Sequence, residues 1–339
     1  MKMVKMATAI AVIALMLAPL PASSEGEKIK VLVSVSDFLP LVKAVGGSFV
    51  EVDSILPPGS DPHSFYVTQE TVRQIEGADL IVLANSHLLS YEDNIKTNYP
   101  SKEYLDFDDY NASLDSFPGY DENPHGYWLK YDNAVSIAEK IKDKLSEILP
   151  DKKDYFDSSF IQFKKQVKNA EYDIINMERE NGAYGKTMVA SVPGVCYIIQ
   201  NEGANVGVVL LAEGSGSASG KEIRDIEEKL KKGIYSGIVV PEFMKNAKAG
   251  EISEQLSEDT GAPVIYVKFS TSSADESYVN DCYHNAMQFI SSNGTGGKFN
   301  NGNSYLIPVI VSLLLLVALQ SLIIYRLYGI YKEEENERS

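Results

Sequence analysis

Short β-branched runs alternate with segments of helical period through most of this chain. Lys30 to Val35 is a strand-like run with polar flanks, and Leu39 to Val45 follows with helical spacing before the turn at Gly46-Gly47. Val50 to Leu56 reads as a second strand, stopped by Pro57-Pro58-Gly59. A helix over Thr68 to Gly77, opened by Thr68 and Glu70, leads to a third strand at Leu80 to Leu83. Asp106 to Asn123 is rich in Asp, Asn, Gly and Pro without an apolar period, which predicts a long loop.

Two long helices come next. Asp132 to Leu149 carries Ala134, Ile137, Ala138, Ile141 and Leu145 on one stripe and is stopped by Pro150. Asp154 to Glu180 carries Phe156, Phe160, Phe163, Val167 and Ala170, and its mid-chain position suits a bridge between two lobes. Alternation then resumes, with strands at Thr187 to Ser191, Val206 to Leu211, Ile238 to Val240 and Val264 to Val267. The helices among them are Lys221 to Lys232, Gly250 to Thr260 and Ser277 to Ser291. Such alternation predicts an α/β fold of open parallel sheets covered by helices.

The two ends have a different pattern. Lys2 and Lys5, a mostly apolar run from Ala7 to Leu17 and the small residues Ala22, Ser23 and Ser24 read as a signal peptide over residues 1–24. An uncleaved anchor is the alternative, opposed by Pro19 and Pro21. Residues 305–328 are long and apolar enough for a transmembrane helix, and Arg326 and Lys332 predict a cytosolic tail at 329–339. The expected location is thus the cell membrane, single-pass, with the binding domain extracellular and the C-terminus cytosolic. Between these ends lie a first lobe at 25–153, a linking helix at 154–181, a second lobe at 182–292 and a flexible linker at 293–304.

Formal charge is −16, and loss of the two lysines with the signal makes it −18, which argues against nucleic acid as a partner. Acidity of this kind suits either cation attraction or plain solubility. Cys196 and Cys282 are the two cysteines, open to a disulfide outside the cell or to two buried thiols. Neither follows the signal, where a lipid would be attached.

Candidate chemistry centres on two of the four histidines, which recur in one phrase: Asp61-Pro62-His63 and Asn123-Pro124-His125. Proline fixes the backbone entering each, and both phrases fall in loops. Neutral imidazole with carboxylate is a suitable donor set for zinc or manganese. Taken singly, each histidine is more often an ordinary surface or hydrogen-bonded residue, a reading that the repeated phrase weakens.

The stretch Pro57-Pro58-Gly59-Ser60-Asp61-Pro62-His63-Ser64-Phe65, with Asn123-Pro124-His125-Gly126-Tyr127-Trp128-Leu129 and Asn133-Ala134, resembles the zinc/manganese ABC-transporter solute-binding proteins. The likeness extends over nearly the whole exported body, through Glu242 after a strand and Glu258-Asp259-Thr260-Gly261. It implies two α/β lobes joined by a long rigid helix, with a metal between them. By motif match His63 and His125 are the metal ligands of the first lobe, whereas His87 matches a turn and is not a ligand. The second lobe departs from the pattern, having Ser191-Val192-Pro193-Gly194-Val195-Cys196-Tyr197 where many members place a histidine. Glu213 is the nearest replacement, and Asp275 lies four residues past Thr271, where the late aspartate falls.

Glu242 reads more readily as a cap or a surface hydrogen bond than as a ligand. The run from Gly214 to Gly220 lacks the Gly-Lys-Ser/Thr ending of a phosphate loop, since Glu222 follows Lys221. Trp128 is open between orienting His125 and packing in the core. No serine elbow, His-Glu-x-x-His helix or paired Cys-x-x-Cys is present, which argues against an enzyme. The expected function is that of a monomeric solute-binding protein delivering zinc or manganese to an ABC permease. The alternative is a related surface binding or adhesion protein with a degenerate metal site.

Overall fold

The computed structural model describes residues 28–60, 62–181, 184–211, 219–271 and 273–292. The expected signal peptide, Glu213, the linker, the transmembrane helix and the tail lie outside the described residues. All described residues fall within one unit, residues 1–293.

Two four-stranded parallel sheets organise the chain. The first contains β1 (Ile29–Val33), β2 (Val50–Ser54), β3 (Leu80–Val82) and β4 (Tyr104–Leu105) in the order β2-β1-β3-β4. The second contains β5 (Thr187–Ala190), β6 (Asn205–Val209), β7 (Ile238–Pro241) and β8 (Val264–Val267) in the order β6-β5-β7-β8. β3 and β7 are buried at every position, the pattern of inner strands covered on both faces. In each sheet the chain reverses its direction of growth after the second strand, which leaves a crevice beyond the carboxyl ends of β1 and β3 and of β5 and β7.

The long helix Lys153–Asn181 buries Phe156, Phe160, Phe163, Val167, Ala170 and Ile174 at alternating three- and four-residue spacing. It packs on helices Leu39–Gly46 and Tyr131–Ile148 of the first lobe and on Tyr278–Ser292 of the second. Its 29 residues span about 43 Å at the α-helical rise. Local signals fit their elements: Thr68 caps Gln69–Gly77 by accepting from the Thr71 amide, and Ser219 caps Gly220–Lys231 in the same way.

Three elements had no sequence signal. Ser90–Asn98 has a weak apolar stripe, Tyr104–Leu105 is two residues long, and Cys196–Asn201 is too short and too fully buried to display a period. The loop expected over Asp106 to Asn123 is built by specific contacts. Asp106 caps the turn Phe107–Asp109 and accepts from Lys96 Nζ at 2.6 Å, which holds its carboxyl below the ordinary range against the opposing effect of burial. Cys196 and Cys282 are both buried free thiols, and desolvation pushes Cys196 up to about 12.

Candidate metal centre

Loops from the two crevices meet in a cleft of about 730 Å³. Val35 and Ser36 after β1 and Ala84 and Asn85 after β3 form one side. Val192 and Pro193 after β5, with Pro241 ending β7, form the other. Ser270, just past β8, ties the lobes together: its hydroxyl accepts from the Gly59 amide at 3.1 Å and lies 3.2 Å from the Ser36 hydroxyl.

His63 stands in the short turn Pro62–Ser64 on the exposed lip of the first lobe. His125 is half-buried and its ring is fixed by Asn123. Asn123 Oδ1 accepts from both the His125 amide and Nδ1 at 3.0 Å, so the protonated nitrogen is Nδ1 and Nε2 is the ring nitrogen with the lone pair. Asn123 is itself fully buried and donates from Nδ2 to Pro193 O of the second lobe at 2.9 Å. Tyr197, also from the second lobe, donates its hydroxyl to Asn123 O at 2.7 Å and accepts from the Asp115 amide at 3.0 Å. The orientation of His125 thus depends on both lobes.

The His63 and His125 ring centroids are 5.9 Å apart with the rings tilted by 52°. With zinc–nitrogen bonds of about 2.0–2.1 Å, two imidazole centroids sharing one ion lie about 5.2 Å apart at the tetrahedral angle and up to roughly 6.4 Å apart at a fully opened one. The observed pair falls between these limits, so a tetrahedral ion would draw the rings closer by about 0.7 Å.

Gly126 follows His125 with φ of 70°, in the left-handed region, and a Cβ there would lie 2.7 Å from Gly194 O across the lobe interface. Gly126→Ala is therefore expected to destabilise the protein by about 2–3 kcal/mol. Gly119 has φ of 87° with open space around its Cβ position, so Gly119→Ala carries the backbone cost alone. Urea unfolding of the two variants should show Gly126→Ala clearly the worse, and equal losses would remove the interface contact from the account.

Leu211 lines the cleft, and Glu213 two residues later is outside the described residues. Asp275 stands in an exposed turn, its amide donating to Ser273 Oγ at 3.2 Å, and it is not among the described lining residues. Glu242 is 2.9 Å from His284 Nε2, and His87 Nε2 is 3.1 Å from Asp108. Among the described residues no cluster of three or more His, Cys, Asp or Glu side chains is arranged for a metal. Trp128 is 7% exposed, edge-on to Phe38 at 5.8 Å and to Phe269 at 6.5 Å, which makes it part of an aromatic contact between lobes. The role of Asn123 is not legible in the sequence beyond one local signal, an Asn two residues before a histidine.

Two parallel-sheet lobes on one long helix, with strand-end loops bringing two imidazoles together, define a helix-linked two-lobed solute-binding protein. The chain belongs to the family "zinc-uptake complex component A periplasmic", whose family model matches residues 31–291. It is 25% identical over 285 residues to the metal ABC transporter substrate-binding lipoprotein SsaB of Streptococcus sanguinis, covering 79% of this chain and 88% of that protein. The manganese ABC transporter substrate-binding lipoprotein PsaA of Streptococcus mitis is 22% identical, with the same coverage. Among solved structures, the laminin-binding protein Lmb of Streptococcus agalactiae, described as bifunctional with adhesin and metal-transporting activity, superposes with TM-score 0.67. The identity there is 19%, over 79% of this chain and all of that one.

These relatives correct the expected location. They are named lipoproteins, a class anchored by a covalent lipid that needs no membrane helix, and no described helix is long and apolar enough to cross a membrane. The single-pass arrangement with a cytosolic C-terminus is withdrawn, and with it the C-terminal helix as a membrane partner.

Proposed function

We propose that this chain binds a divalent transition metal, zinc or manganese, in the cleft between its lobes and delivers it to an ABC permease without catalysing a reaction. The observation that carries this reading is the approach of His63 and His125, from separate loops, to a ring separation of 5.9 Å. Glu213 is the proposed carboxylate of the second lobe, two residues past the cleft-lining Leu211. Asp275 joins the set only if its exposed turn swings toward the cleft. Two neutral imidazoles and one or two carboxylates balance the charge of a divalent ion.

Metal-stripped protein should unfold at a higher temperature once zinc or manganese is restored. At a free ion concentration a hundredfold above Kd the gain is about 2.7 kcal/mol, or roughly 5–10 °C for a body of this size. An unfolding midpoint indifferent to both ions would remove metal capture from the reading. The family assignment would survive that result.

A further inference from the structure

The stretch from Ser191 to Tyr197 carries no histidine or carboxylate, and its Cys196 is a buried thiol that desolvation keeps protonated. Three of its residues nevertheless reach across the lobe interface, and all three meet the segment that carries His125. Pro193 O accepts from Asn123 Nδ2 at 2.9 Å, Gly194 O lies against Gly126, and Tyr197 enters the loop that precedes His125.

That loop is closed on itself. The Asn123 amide donates to Asp115 O at 3.0 Å, and a two-way backbone bridge joins Phe117 to Tyr120 at 2.9 and 2.8 Å. The Tyr197 hydroxyl sits at the neck, donating to Asn123 O at 2.7 Å and accepting from the Asp115 amide at 3.0 Å, so one side chain holds both ends. Its ring packs edge-on against Phe117 at 5.0 Å, and Tyr120 stands edge-on to the His125 ring at 5.9 Å. Tyr197 is fully buried, and desolvation pushes its phenol above the ordinary range, which keeps the hydroxyl a donor.

Asn123 links this neck to the imidazole. Its backbone carbonyl is held by Tyr197, while its Oδ1 takes the His125 Nδ1 proton. A neutral imidazole without such a partner exchanges its proton between the two ring nitrogens.

We propose that Ser191–Tyr197 is a brace for the ligand of the opposite lobe, with Tyr197 as its positioning residue. By closing the neck of the Asp115–Asn123 loop, the Tyr197 hydroxyl keeps Asn123 Oδ1 on Nδ1 and holds His125 as the Nδ1–H tautomer, with the Nε2 lone pair directed to a metal. This rests on the proposed role of His125 as a metal ligand and specifies how the second lobe governs that ligand.

The test is read first without metal. Nitrogen-15 labelling of the histidines in the full, metal-free chain shows, through two-bond proton–nitrogen correlations, which ring nitrogen of His125 holds the proton, and His125→Ala supplies the assignment. At about pH 8 the parent should show Nδ1–H alone, whereas Tyr197→Phe, which keeps the ring and its packing on Phe117, should show both tautomers. Calorimetric titration should then find the zinc affinity of Tyr197→Phe lowered about 10–100-fold at unchanged stoichiometry. Tyr278→Phe is the control for lost structure, since it removes another hydroxyl bond between the lobes, to Leu129 O at 2.7 Å, and leaves the neck of the loop intact. It should keep the Nδ1–H tautomer and a zinc affinity within about twofold of the parent. A parent with its His125 proton on Nε2, a result that needs no variant to fold, overturns the brace. So does a Tyr197→Phe protein that keeps the Nδ1–H tautomer, or an equal loss of affinity in the two tyrosine variants. If the tautomers behave as expected and zinc binds neither parent nor variants, the brace stands and metal capture fails.

Discussion

A chain carrying both His63→Ala and His125→Ala is expected to lose its metal-dependent stabilisation altogether while keeping the fold of the untreated protein. The two rings lie at the cleft, His63 exposed and His125 half-buried, so their removal opens little space in either hydrophobic core. Metal-free unfolding should therefore change by no more than about 1 kcal/mol. Binding should behave differently. Groups that merely orient a ligand cost about 10–100-fold in metal affinity when removed, and loss of a ligand itself should exceed that. Asn123→Ala provides the graded comparison. It frees the His125 ring from its Nδ1 contact and also breaks the tie to Pro193 O, so affinity should fall within the 10–100-fold range at unchanged stoichiometry. Calorimetric titration with zinc separates the variants. Metal binding that persists in the double variant would move the site elsewhere, for instance to carboxylates outside the described residues.

What could be read from the amino-acid order, and what could not, follows from the range of the interactions. The stripe from Phe156 to Ala170 is a local period, and the helix that stands there, Lys153–Asn181, packs on helices of both lobes, its ends about one residue beyond those expected. Proline before His63 and His125 is likewise a local constraint, and it marked the two loops that meet. The features that hold those loops together have no local signature. Tyr197 looks like any core tyrosine in sequence, yet its hydroxyl spans the Asn123 carbonyl and the Asp115 amide of the other lobe. Ser270 is equally anonymous until Gly59 and Ser36 are brought to it. The donors proposed for the second lobe are the least legible, because the sequence pattern is broken at Val192-Pro193 and glycine and serine dilute the register after Glu213.

Glu178 is the position where the helical stripe and the chemistry disagree, and replacing it should stabilise the protein. It continues the buried face of the long helix at 0% exposure, four residues after Ile174, and neither carboxylate oxygen has a hydrogen-bond partner. Glu202 of the second lobe is 1% exposed, and its Oε2 is also unsatisfied. Desolvation pushes Glu178 from 4.5 up to about 7, with Lys186 opposing the shift, and burial aided by the Glu178 charge drives Glu202 the same way. Below pH 4.5 both folded and unfolded chains hold the Glu178 proton and the group has no effect. Between about 4.5 and 7 the unfolded chain releases it while the folded chain keeps it, so stability falls through that window and stays low above it. The loss is at most about 3 kcal/mol from Glu178. Glu178→Gln buries a neutral amide in place of an ionisable group. It should gain about 1–3 kcal/mol over the parent at pH 8, converge with it at pH 4.5, and flatten the intervening slope. Urea unfolding of the metal-free proteins across that range measures both terms, and an unchanged slope would acquit Glu178. Metal binding has the opposite sign, since imidazole ligands must be unprotonated to hold an ion. Acid therefore weakens capture while it strengthens the helix that joins the lobes, and the two effects are separable by titrating the metal-free and metal-loaded protein side by side.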